Sequence, residues 1–350
     1  MRLEQSFTGH RRASLYLHKE LSNFKVPATT CLLMVNRLLV LSKASSASSS
    51  SLARLRRSAG CVTILRSLKE AKRRNLLTPG EAGRIRGKLG WVLSAAYARV
   101  GRAAAQPLTE REFSSSAVQS WTASLDEMLA FFEVLLAVDD SGEPRLPPLE
   151  VYIMRHGRRP VVVYSDAMFR RLHTGAAELW HDVRGRPFSR VGFVVFVPGR
   201  RRPIVSQCVL PTWVYTYLSS ESHTLIQQAE LIAAVGVYRT LPELLVGEAA
   251  IHFIDNTGAL SNLVHGYASR PDCGRLVNAY HLMLANLRCK AWLEWIPSKA
   301  NVADLPSRDE EVLLLDTLEA AGFAEGFDVV DFNFPPMQSW QAPLSVFAAV

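Results

Sequence analysis

Between residues 160 and 310, short β-branched runs alternate with helical stretches, and this alternation restricts the chain to a layered α/β architecture. Residues 161–164 form a first strand that closes at Ser165-Asp166, and residues 191–197 and 204–210 form two more, joined by the turn Pro198-Gly199-Arg200-Arg201-Arg202. Three strands so closely spaced are expected to pair as an antiparallel meander. Residues 222–241 read as a helix, with Leu225, Ala229, Ile232 and Gly236 along one face. A fourth strand, 251–254, ends at Asp255-Asn256. Helices at 258–266 and 275–287 follow, then a fifth strand at 291–296 that stops at Pro297, and helix again from Asn301. The order βββαβααβα implies a mixed five-stranded sheet flanked by helices. Trp292 and Trp295 are read as alternate positions on one face of the fifth strand, turned into the core.

The rest of the chain reads differently. Residues 1–75 show weak periodicity, a serine run at 45–51 and scattered basic residues, and are expected to form a basic, largely disordered arm. Residues 76–148 read as a small helical region and a linker. Within it Thr78-Pro79-Gly80-Glu81 is a helix start, residues 82–105 a basic helix, 120–138 a second helix, and the Asp-, Gly- and Pro-rich 139–148 the linker. The α/β domain is placed at 149–311, with a C-terminal helix and tail at 312–350. An inserted helix is expected at about 168–182, because the interval from Asp166 to Arg190 exceeds the needs of a hairpin.

Charge separates along the same lines. The net charge is +8, but residues 1–105 hold twenty Lys or Arg against four acids, and the other 245 residues hold twenty against 28. A segregated basic segment attracts polyanions through phosphate contacts and counterion release, so nucleic acid is the first partner to consider, with an anionic membrane surface as the alternative. The basic turn Arg200–Arg202 is read as a solubility feature before a phosphate contact. The apolar stretch 31–41 is broken by Asn36 and Arg37 and is too short to cross a bilayer. Five cysteines without a CxxC pair, and nine histidines without HxxxH spacing, suggest neither a disulfide framework nor a zinc site, and an intracellular setting is expected.

The chemistry-bearing residues are carboxylates. Asp166 and Asp255 follow strands, Glu230 lies in the intervening helix close to its apolar stripe, and Asp304 opens the helix after the fifth strand. Sites in open α/β sheets gather where strands end. A half-buried acid beside two others is costly without a cation, because like charges at short range resist ionising together. Each acid alone has a plainer role, as a turn or helix cap or as a solvated helix face. Their joint occurrence in one order points to a shared metal site.

The segments Tyr164-Ser165-Asp166-Ala167, Gln228-Ala229-Glu230-Leu231, Phe253-Ile254-Asp255-Asn256-Thr257 and 296–308 (IPSKANVADLPSR) resemble the four blocks of the ribonuclease H domain of retrotransposon reverse transcriptases. The similarity covers about residues 160–310. Leu77-Thr78-Pro79-Gly80-Glu81-Ala82, Leu89-Gly90 and Gly101-Arg102 are similar to the thumb and connection region preceding such domains. The one adjacent aspartate pair, Asp139-Asp140, precedes a Pro-rich linker and lacks the polymerase-palm context, so the chain is not expected to polymerise DNA by itself.

The resemblance implies cleavage of the RNA strand of RNA–DNA hybrids with two Mg²⁺ ions, Mn²⁺ being a possible substitute. Asp166 would bridge both ions, Glu230 and Asp255 would hold the one near the leaving group, and Asp304 the one that orients water. Asn301 stands where some relatives carry a histidine that assists product departure. A catalytically inactive nucleic-acid-binding remnant, and a ribonuclease H-like DNA exonuclease or integrase, are the competing readings.

Overall fold

The computed structural model describes residues 47–94, 96, 98–137, 159–170, 188–211, 213–214 and 225–334. The linker at 139–148, most of the expected insertion helix and the tail beyond 334 lie outside the described residues. The chain forms two compact units, one made mainly of residues 19–96 and 105–148, the other of 97–104 and 149–350.

The first unit is helical. α1 (Ala47–Arg73) replaces the disordered arm expected up to residue 75, with only residues 1–46 left outside the description. Cys61, Ile64, Leu68 and Ala71 explain it: they recur at helical spacing, and all four are buried. α2 (Pro79–Leu93) begins as the sequence indicates. Thr78 Oγ1 accepts from the Glu81 amide, Glu81 returns a carboxylate to the Thr78 amide, and Pro79 occupies the first turn. These bonds, with Arg74 as an ionic partner, pull the Glu81 carboxyl down to about 2. The helix ends at Leu93 rather than continuing to 105, and Ala98 and Gly101 beyond it take positive φ angles that helix excludes. α3 (Gln106–Glu112) and α4 (Ala123–Leu135) complete the unit. The buried Arg111 guanidinium bonds the Leu77, Val118 and Ser120 carbonyls, satisfying a loop that has no ladder of its own.

The second unit is a six-stranded mixed sheet with helices against it. Its strands are β1 (Val161–Arg170), β2 (Phe188–Phe196), β3 (Ile204–Val209), β4 (Ala249–Ile254), β5 (Lys290–Trp295) and β6 (Asp328–Val329), in the spatial order β5-β4-β1-β2-β3-β6. The meander is present, since β1/β2 and β2/β3 are antiparallel, and β4 and β5 add parallel to β1. α5 (Ile226–Thr240) is buried on nearly every side from Gln228 to Tyr238, and the short α6 (Pro242–Leu245) leads into β4. α7 (Thr257–His265) and α8 (Pro271–Leu287) connect β4 to β5, and α9 (Asp304–Ser307) and α10 (Glu311–Ala320) follow. Among the described residues, no helix is long and apolar enough to cross a membrane.

Three further expectations are corrected. Among the described residues the sheet has six strands, not five. β6 is too short to be read as a pattern; it pairs with β3 through backbone, and the Arg200–Arg202 turn, expected as a solubility feature, also makes ion pairs to the residues around it. Arg200 and Arg202 both pair with Asp328, Arg201 pairs with Glu325, and Arg202 bonds the Phe327 carbonyl. Second, β1 runs on to Arg170 because β2 keeps pairing with it, so Asp166 is mid-strand and residues 168–170 are strand rather than helix. Third, Trp292 and Trp295 are 61% and 48% exposed, because β5 is the sheet's edge and the two residues, three apart, lie on opposite faces. Gly236, which keeps its expected place on the apolar stripe of α5, also makes a close approach, since Phe332 from beyond β6 lies where an added Cβ would be.

Candidate metal centre

Strand register brings the first two acids together. The parallel pairing of β1 with β4 ends at Tyr164↔Phe253, and extending it by two residues sets Asp166 beside Asp255, one strand spacing away. Glu230 reaches the same point from α5, which packs on β1. Carboxylate oxygens of Asp166, Glu230 and Asp255 lie within 4.8 Å of one another, and this set could hold a metal ion. Asp304 is outside it. Its Oδ1 accepts from Arg308 Nε at 2.7 Å, an i,i+4 ion pair on the α9 side of the site. Three of the four acids named from the sequence therefore converge, and the fourth stands next to them in an ion pair.

The environment of the three is that of a site built for positive charge. Asp166 and Glu230 are both only 3% exposed. Glu230 Oε2 and Asp255 Oδ1 are buried with no hydrogen-bond partner among the described residues, a costly arrangement for a carboxylate. Burial raises the Asp166 carboxyl well above its ordinary range, Asp255 and Asp304 push it further, and the Ser307 hydroxyl and Arg308 oppose the rise. Glu230 is raised in the same way, first by burial and then by Asp166 and Asp255, against a bond from the Ala167 amide. Asp304 is also raised, mostly by burial, while Arg308 pulls it down. Hard divalent cations prefer such oxygen donors, and a bound cation would reverse the electrostatic penalty that lifts these groups.

Residues around the acids orient them. Ser307 Oγ donates to Asp166 Oδ2 at 2.5 Å, and Asn301 Nδ2 donates to the Ser165 carbonyl at 3.0 Å and reaches Asp166 Oδ1 at 3.4 Å. Asn301 is thus a buried brace on β1. Gly192, the cross-strand partner of Asp166, makes this possible, because a Cβ there would lie 2.8 Å from the Ser307 amide nitrogen. Arg190 and Gln207 hold Asp309 from the far side and tether the turn after α9. On the opposite face of β1, Ser165 Oγ meets His252 Nε2 at 2.9 Å, and His252 Nδ1 faces Tyr238 and Tyr280 hydroxyls. Burial lowers that imidazole to about 3, so it is neutral and serves as a packed hydrogen-bond link between β1 and β4.

Ser307 lies inside the last block and carries no local signal of its own. Its role depends on the fold over Gly192, which no local pattern displays. Trp295, expected in the core, instead donates its Nε1 to the Asp255 carbonyl at 3.1 Å, at the edge of the site. No family model matches the chain, and no curated protein matches it.

Proposed function

We propose that this chain is a ribonuclease H-type phosphodiesterase that cuts the RNA strand of RNA–DNA hybrids with Mg²⁺ held by Asp166, Glu230 and Asp255. The observation that carries the reading is the convergence of these three carboxylates within 4.8 Å, with two buried oxygens left unpartnered among the described residues. The strand order, with an antiparallel meander followed by two parallel strands, accords with the fold that the sequence blocks resemble.

When bound, Mg²⁺ supplies Lewis-acid stabilisation of the leaving oxygen and lowers the pKa of a water for attack. The chain's part is placement. Ser307 and Asn301 hold Asp166, the β4 end presents Asp255, and α5 carries Glu230 to them. Asp304 would accept a proton or orient a water once its pairing with Arg308 loosens, and Arg308 would then offer a cation to a phosphate at that edge. The 20 basic residues among the first 105 favour a polyanionic partner.

One observation favours the second reading, an inactive nucleic-acid-binding remnant of a retroelement: Asp304 is engaged by Arg308 and does not join the converging set. A labelled RNA–DNA hybrid incubated with the purified chain separates the two. The expected result is RNA-strand cleavage with Mg²⁺ or Mn²⁺, reduced in Asp255→Asn by more than the roughly 10–100-fold typical of outer-shell partners. An intact hybrid under both metals, with salt-sensitive binding unchanged by Asp255→Asn, supports the remnant instead.

A further inference from the structure

Trp295 is 48% exposed at the last position of an edge strand, where a large apolar ring would ordinarily be covered or absent. It is not loose. Its indole N–H is fixed to the carbonyl of Asp255, and its own amide bonds the Glu294 carboxylate. The ring is thus anchored to the backbone of a residue in the acid set while a large part of its surface faces solvent. The chain then turns through Pro297 and the 3₁₀ turn Ser298–Ala300 into Asn301, so one short connection links the ring held on Asp255 to the brace on Asp166. Lys299, at the exposed tip of this turn, makes no ion pair among the described residues. Trp292, more exposed still, lies on the other face of β5 with its N–H turned to Glu294.

We infer that Trp295 is a stacking platform for a nucleobase flanking the phosphodiester that is cut, with Lys299 contacting the adjoining phosphate. This rests on the nuclease reading and names how its substrate is seated. A rigid indole beside a carboxylate set suits this task. Base–aromatic stacking accepts any base, so the strand is positioned without sequence preference, and the ring, being held by its N–H, loses little freedom when it is covered. A carboxylate site repels a polyanion, and the neighbouring lysine offsets that repulsion at the entry side. Trp295 is here a positioning residue, since the chemistry belongs to the acids.

The test compares Trp295→Ala, Trp295→Phe, Lys299→Ala and Trp292→Ala in the full chain. The readouts are KM and kcat on hybrid, the Kd for the same hybrid in Ca²⁺, and Mn²⁺-induced thermal stabilisation. The expected result is a rise of about tenfold in KM and Kd for Trp295→Ala. Trp295→Phe keeps a stacking face and should stay within about threefold of wild type, and Lys299→Ala should weaken binding and flatten its salt dependence. Trp292→Ala should change nothing, and Mn²⁺ should stabilise every variant as it does wild type. Equal losses in Trp295→Phe and Trp295→Ala, together with a weakened Mn²⁺ response, mean that the indole only supports Asp255, and the platform is overturned. Unchanged KM and Kd in Trp295→Ala overturn it while leaving the nuclease reading intact. If wild type fails to cut, that reading falls, and the Kd comparison alone decides whether the ring stacks.

Discussion

Asp166→Asn is expected to abolish hybrid cleavage and yet make the metal-free protein more stable at neutral pH. The sign follows from the pKa directions. Burial and mutual repulsion hold the Asp166 and Glu230 carboxyls well above their ordinary values of 3.8 and 4.5. A carboxyl raised on folding stabilises the native state fully below its unfolded pKa, and that contribution is lost as pH climbs through the raised native value. The metal-free chain should therefore lose stability on going from acid toward neutral pH, and a divalent cation should restore it by mass action. The neighbouring imidazole works in another window. His252 is lowered to about 3 from 6.5, so its contribution is complete above about 6.5 and is lost as pH falls toward 3. A melting series from about pH 6.5 upward therefore keeps His252, and the likewise lowered His281, out of the comparison. There Asp166→Asn should gain on the order of 2 kcal/mol without metal, the scale of an uncompensated buried polar group, and should no longer respond to Mn²⁺. Equal destabilisation at every pH, with the cation response intact, contradicts this account.

The second large effect comes from a residue that carries no chemistry. Gly192→Ala is expected to cost about 1–3 kcal/mol, as overpacking does, and to lower cleavage further than that loss explains. The added Cβ would meet backbone, the Ser307 amide at 2.8 Å and the Pro306 carbonyl carbon at 3.2 Å, and neither can swing aside as a side-chain tip can. Arg190 and Gln207 tether the turn after α9 through Asp309, so α9 can escape only by breaking those contacts or lifting Ser307 from Asp166. Thermal melts and turnover, compared with Ser307→Ala, check the cause. Ser307→Ala removes the hydroxyl without the push and should cost activity with a smaller loss of stability. A Gly192→Ala protein that melts and cuts like wild type would show that α9 does not position Asp166.

Much of this arrangement can be read from the chain because it is local. β-branched runs at fixed intervals mark the strands, and the two aspartates stand where register brings them together, because a parallel pair carries neighbouring positions side by side. Glu230 declares itself by sitting beside an apolar stripe, which limits how far it can turn to water. What escaped the reading depends on distant contacts. Asp166 looked like the end of a strand because the run of β-branched residues stops there, whereas the backbone continues under the guidance of β2. β6 has two residues, and it pairs through backbone with the distant β3. The helix at 47–73 was hidden by a serine-rich start, although Cys61, Ile64, Leu68 and Ala71 already carried its period. Trp295 has the composition of a core residue, and only the strand order shows that its strand is the last in the sheet.

The ionic state of Asp304 links these points to function. Its partner Arg308 lies one helical turn on, a spacing visible in the sequence, and the pair keeps a fourth carboxylate near the site while neutralising it.

Anomalous diffraction from crystals soaked in Mn²⁺ tests the central claim most directly. The account predicts an anomalous peak bound by carboxylate oxygens of Asp166, Glu230 and Asp255, at the roughly 2.0–2.6 Å distances of hard cations and oxygen, with Glu230 Oε2 and Asp255 Oδ1 among its ligands. Millimolar Mn²⁺ in the crystal with no peak between these three side chains, or with a peak only elsewhere, contradicts it.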